Sequence, residues 1–110
     1  MEVTTNPFKT ILFGFAFSPS LRVNVLETTR IAHFFGAKLI LLHVGEKTPK
    51  KEKKINAILE EVEFKDRAVE IQWQEGKPYD VILENCEKSK IELLILGAMQ
   101  HENLFKFFVG

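Results

Sequence analysis

Cysteine, net charge and long apolar runs are what this sequence of 110 residues has least of. Its single cysteine, Cys86, excludes an internal disulfide and any multi-cysteine metal site. Its 15 acidic residues balance 15 basic ones, so no global field draws the chain to nucleic acid or to an anionic membrane. No apolar run reaches the roughly 20 residues that span a bilayer. Met1 is followed by Glu2 and polar residues, unlike a secretory signal. Two phosphate-binding patterns are missing as well: a Gly-rich loop ending in Lys-Ser/Thr, and Gly-x-Gly-x-x-Gly after the first strand. No Ser–His–acid set and no paired-histidine metal motif stands out. These absences lead to the expectation of a cytoplasmic domain with no catalytic residues, no metal, and neither nucleic acid nor membrane as a partner.

What is present is an ordinary globular composition, 45% apolar and 27% charged, in a chain long enough for one domain. Thr10 to Phe17 is a nearly continuous apolar run and reads as a central strand. Ser18-Pro19-Ser20 is a turn able to cap a helix. That helix spans Leu21 to Phe35, with Leu21, Val25, Thr28, Ala32 and Phe35 on one face and Gly36 as its stop. Lys38 to Val44 is a second all-apolar strand. A lysine-rich loop, Gly45 to Lys54, leads into a helix over roughly Lys51 to Phe64, carrying Ile55, Ile58, Leu59 and Val62. Ala68 to Gln74 alternates apolar with polar residues, as an exposed edge strand does. Pro78 suits the first turn of a third helix, whose inner face is expected to hold Tyr79, Ile82, Leu83 and Cys86. Glu92 to Leu96 is the fourth strand, stopping at Gly97.

Strand–helix alternation gives an α/β fold with a Rossmann-like, doubly wound, open parallel sheet. With the polar strand at the edge, the order is third, second, first, fourth. The direction of winding then reverses between the first and fourth strands, and ligands of such sheets sit at that point, beyond the carboxyl ends of the strands. The expected crevice lies between Ala16–Ser18 and the loop from Gly97 onward.

Isolated reactive residues carry little. His33 sits in a helix and His43 inside a strand, where packing is the ordinary role. His101 alone falls in the loop after the fourth strand, where a ligand could meet it. Cys86 reads as a small core residue, Trp73 as packing, and the lysine cluster, interrupted by Glu52, as a solvated face.

Three segments taken in series resemble the universal stress protein family: ILFGFAFSPS, RIAHFFGAKLILLHV and EGKPYDVILENCEKSKIELLILG. The resemblance runs from Phe8 to Gly110. It implies the same Rossmann-like fold and a regulatory role that acts by self-association and partner binding, as a homodimer or with another protein. Nucleotide-binding members have a glycine after the fourth strand, a second glycine three residues on, and a third, followed by Ser or Thr, after nine more. Here Gly97 and Gly110 keep the outer positions, and Gln100 stands at the middle one. A side chain there obstructs the close approach of backbone N–H groups to phosphate oxygens. Binders also place an Asp after the first strand, where this chain has Ala16; a methyl accepts no hydrogen bond from a nucleoside. The resemblance therefore implies a degenerate nucleotide crevice formed by Phe15, Ala16, Val44, Leu96, Gly97, Gln100, His101 and Gly110, with no certain cofactor. The alternative is an ATP- or AMP-binding sensor with a relaxed site and at most weak hydrolysis, in which His101 or Lys106 replaces lost contacts. An adenylyl-transfer enzyme would need clustered cations near the first strand, where only Arg22 is available.

The family continues past the last glycine with a helix and a fifth strand. The expectation is therefore a single domain, incomplete at its C-terminus, with the fourth strand left as an uncovered apolar edge.

Overall fold

A computed structural model describes residues 8–62, 69–97 and, as backbone with the Lys106 side chain, 104–108. The elements run β1 (Thr10–Gly14), α1 (Leu21–Phe35), β2 (Lys38–Val44), α2 (Pro49–Glu60), β3 (Val69–Gln74), α3 (Pro78–Lys88), β4 (Leu93–Gly97) and β5 (Leu104–Phe108). Strands β1 to β4 are mutually parallel in the order β3-β2-β1-β4, the doubly wound arrangement expected.

The apolar strands alternate their side chains between two cores. Ile11, Phe13, Leu39, Leu41, Leu93 and Ile95 face α1 and α2, where Leu21, Val25, Ala32, Ile55 and Ile58 meet them. Leu12, Ile40, Leu42 and Leu94 face α3 on the opposite side, against Val81 and Cys86. Burial on both faces is why β1, β2 and β4 read as unbroken hydrophobic runs.

Local chemistry sets the helix ends. Gly36 takes the left-handed conformation (φ 65°) that closes α1, and the N–H groups of Gly36 and Ala37 donate to the carbonyls of His33 and Ala32. Thr28 and Thr29, polar residues inside α1, donate their hydroxyls to the carbonyls of Val25 and Leu26. Helix α2 begins two residues earlier than expected, because Thr48 accepts from the Lys51 N–H and Pro49 occupies the first turn. The lysine-rich stretch is thus largely the start of a helix. Ala68, Phe64 and the neighbouring bounds expected there lie outside the described residues. Arg22 of α1 reaches Glu61, just past α2, at 2.6 Å and joins the two helices on that face.

Two expectations are corrected. Tyr79 and Leu83 do not line the inner face of α3; they are 74% and 48% exposed, and Val81, Asn85 and Cys86 are buried with Ile82 half-buried beside them. The rotation is set by a reciprocal amide pair, in which Gln74 of β3 and Asn85 of α3 each donate to the other at 3.0 and 3.1 Å. The flank of β4 is not left open either. Residues Leu104–Phe108 return as β5 and pair antiparallel with it, Leu93 opposite Phe108 through Gly97 opposite Leu104. Antiparallel return needs only a short connection, so no intervening helix is required to supply a fifth strand.

Candidate functional site

At the carboxyl ends of β1, β2 and β4 the sheet opens into a pocket of about 190 Å³. β1 ends at Gly14, three residues earlier than its apolar run suggests, although the Phe15 N–H still donates to the Leu42 carbonyl at 2.9 Å. The chain then leaves the sheet, puts Ala16 on the surface, and turns through Ser18 into α1. Phe15 and Ala16 form one wall, Leu42 and Val44 of β2 a second, Leu96 and Gly97 of β4 a third, and Ile82 of α3 the floor.

Five of the expected site residues, Phe15, Ala16, Val44, Leu96 and Gly97, therefore line one cavity at the predicted switch point. Gln100, His101 and Gly110 lie outside the described residues. The sequence did not single out Gly14 or Ile82 as part of this pocket. A side-chain carbon on Gly14 would stand 3.0 Å from a Leu96 methyl and 3.2 Å from Ile82, so its absence lets β4 and α3 close on β1. The available signal was a glycine inside an otherwise bulky strand, which marks a close approach.

A second missed feature lies beside Gly97. Asn24, buried in the second turn of α1, donates its side-chain amide to the Ser20 hydroxyl at 3.3 Å, and Ser20 is 3.2 Å from the Ser18 hydroxyl. A β-carbon on Gly97 would come within 3.4 Å of that amide. These hydroxyls and the amide satisfy one another, and so the cluster holds the β1–α1 turn in shape next to the pocket.

His43 underlies the other rim. It is 7% exposed, and its Nδ1–H donates to the Phe15 carbonyl at 3.0 Å, an oxygen that can only accept. Nε2 is buried without a hydrogen-bond partner among the described residues. Phe15, Phe17 and Trp73 surround the ring at 5.4, 4.9 and 5.6 Å. His43 is thus a packed residue satisfied at one nitrogen, and it positions the Phe15 backbone at the pocket edge.

The pocket's chemistry is spare. Among the described residues its lining has no carboxylate, lysine or arginine, and no group of three or more His, Cys, Asp or Glu is placed to hold a metal. Burial pushes the Cys86 thiol above its ordinary range, the reverse of what activates a nucleophile. The lining as described can accept a flat apolar group and offers backbone polar atoms at its rim. Among the described residues no helix is long and apolar enough to cross a membrane.

No protein-family model and no curated protein matches the sequence. Solved structures do match. A universal stress protein in complex with cAMP superposes with a TM-score of 0.68 at 25% identity, over 82% of this chain and 72% of that one. Protein Rv1636 from Mycobacterium tuberculosis H37Rv shares the fold with a TM-score of 0.64 at 23% identity, over 87% of this chain and 74% of that one. The fold and its strand order agree with the first of these, and by that likeness the chain is a universal-stress-protein-like domain.

Proposed function

We propose that this domain is a cytoplasmic regulatory module of the universal stress protein type that works by self-association and partner binding, with a crevice reduced to holding no more than the base-sized part of a nucleotide. Ala16 carries this reading. It stands on the pocket wall where nucleotide-binding relatives resemble one another in an Asp, and it presents a methyl where a ribose needs an acceptor. The volume supports it, since about 190 Å³ falls below the roughly 300–1,000 Å³ of usual small-molecule pockets. So does a lining without lysine or arginine among the described residues, which gives phosphates no permanent cation. Calorimetric titration with ATP, AMP and cAMP tests the reading. Dissociation constants weaker than about 100 µM, or less than about 5.5 kcal/mol of binding, are expected; tighter binding overturns the reduced crevice.

A second reading, a sensor of a low-charge adenine nucleotide, is favoured by the structural neighbour in complex with cAMP. A cyclic monophosphate carries a single negative charge and demands less of the loop after β4 than a triphosphate does. Thermal stabilisation by millimolar cAMP that Gly97→Val abolishes would establish this reading, and no shift at that concentration removes it.

A further inference from the structure

Helix α1 buries one face against the sheet and leaves a continuous stripe on the other. Val23, Glu27, Arg30 and Phe34 recur at steps of four, three and four, which keeps all of them on one side of the helix. Val23 is 60% exposed and Phe34 80% exposed, among the largest apolar exposures of the described residues, while Glu27 and Arg30 between them are exposed as well. Leu26 and Ile31 flank the stripe, and with its first three members they line a groove of about 380 Å³. Among the described residues neither Glu27 nor Arg30 has an ion-pair partner, in contrast to Arg22 on the same helix, which is held by Glu61.

The order along this stripe is apolar, acidic, basic, apolar, and it is self-complementary when reversed. We propose that the outer face of α1 is an isologous dimer interface, occupied by α1 of a second copy of this chain lying antiparallel. A two-fold axis crossing between Glu27 and Arg30 sets Val23 against Phe34 of the second copy and Glu27 against Arg30 of the second copy. The symmetry then repeats both contacts. A parallel arrangement would oppose Glu27 to Glu27 and Arg30 to Arg30, so charge selects the antiparallel one. The stripe is about 16 Å long at 1.5 Å per residue. A single helix pair of that length buries less than the roughly 1,600 Å² of a standard interface, so the dimer is weak and concentration-dependent. The proposal rests on the self-association part of the function proposed above and gives it a surface; the flank of β4, expected to be an uncovered edge, is occupied by β5.

Sedimentation equilibrium of the full 110-residue chain from micromolar to millimolar, with circular dichroism to confirm folding, provides the test. The chain is expected to pass from monomer to dimer over this range. Glu27→Arg and Arg30→Glu should each weaken the dimer at least tenfold, because each brings two like-charged contacts into the interface. An equimolar mixture of the two variants should recover the dimer, because every charged contact in the mixed pair is again between opposite signs. A wild-type chain that stays monomeric throughout overturns both the interface and self-association. A dimer indifferent to either reversal, or variants whose mixture recovers nothing, overturns the α1 interface alone.

Discussion

Gly45 shows how little room one residue can leave. A β-carbon there would stand 2.8 Å from Nε2 of His43, and the His43 ring cannot retreat, being hydrogen-bonded to Phe15 and enclosed by Phe15, Phe17 and Trp73. Gly45→Ala should therefore cost about 1–3 kcal/mol, the range of a locally strained site, in urea unfolding followed by the fluorescence of Trp73, the only tryptophan. Ala16 is the converse case, an exposed methyl that nothing constrains. Ala16→Asp should leave stability within about 0.5 kcal/mol and, by restoring an acceptor at the pocket wall, tighten AMP binding about tenfold in calorimetry. Ala16 and Val44 could be placed from sequence because each lies toward the carboxyl end of an apolar run, although β1 itself stops at Gly14. Gly14 and Asn24 could not, because each matters through a neighbour brought in from another element.

At the scale of elements, α3 is the informative case. Tyr79, Val81, Ile82, Leu83 and Cys86 spread apolar groups around much of its circumference, so periodicity alone allows more than one inner face. The Gln74–Asn85 amide pair selects among them, with Asn85 donating also to the Val81 carbonyl at 2.7 Å. Asn85→Ala should cost about 1–3 kcal/mol by stranding the Gln74 amide, whereas Leu83→Lys on the exposed side should change stability by no more than about 0.5 kcal/mol. Paired chemical denaturation curves distinguish them, and equal losses would mean that the helix is rotated as the spacing first indicated. In α1, by contrast, the face was legible because Leu21, Val25, Thr28 and Ala32 form a single narrow stripe, and all four are buried.

At the scale of the whole molecule, some of the charges that cancel in sum meet as local pairs, among them Arg22–Glu61, Lys38–Glu70 and Lys47–Glu52. The hydrogen bond from Arg22 holds the Glu61 carboxyl below its usual range, and hydrogen bonds from Gln72 and then Lys38 do the same for Glu70. A carboxyl whose folded pKa is depressed contributes stability that is fully present above its unfolded value and lost as pH falls through the folded one. Thermal melts should therefore show midpoints level from neutral pH down to about 5 and a decline below about 4. Both pairs are exposed and screened, so their share of the decline is small, and 1 M salt should shrink it further. Glu61→Gln and Glu70→Gln should each flatten the acid limb slightly without moving the neutral midpoint by more than a degree or two; a steeper acid limb in either variant would reverse the sign of that pair.

The sequence by itself determined the alternation of strands and helices, the strand order β3-β2-β1-β4 and the position of the crevice. Those features follow from the runs buried on both faces, the half-polar edge strand, and turn residues such as Gly36 and Pro78, each of which acts through nearby chain. Tertiary structure alone decided the rotation of α3, the pairing of His43 with the Phe15 carbonyl, and the fate of the flank of β4. The LFKFF segment has strand chemistry in any context, but whether it pairs depends on an open row of β4 backbone groups. Only the folded sheet presents that row, and β5 is the segment that pairs with it.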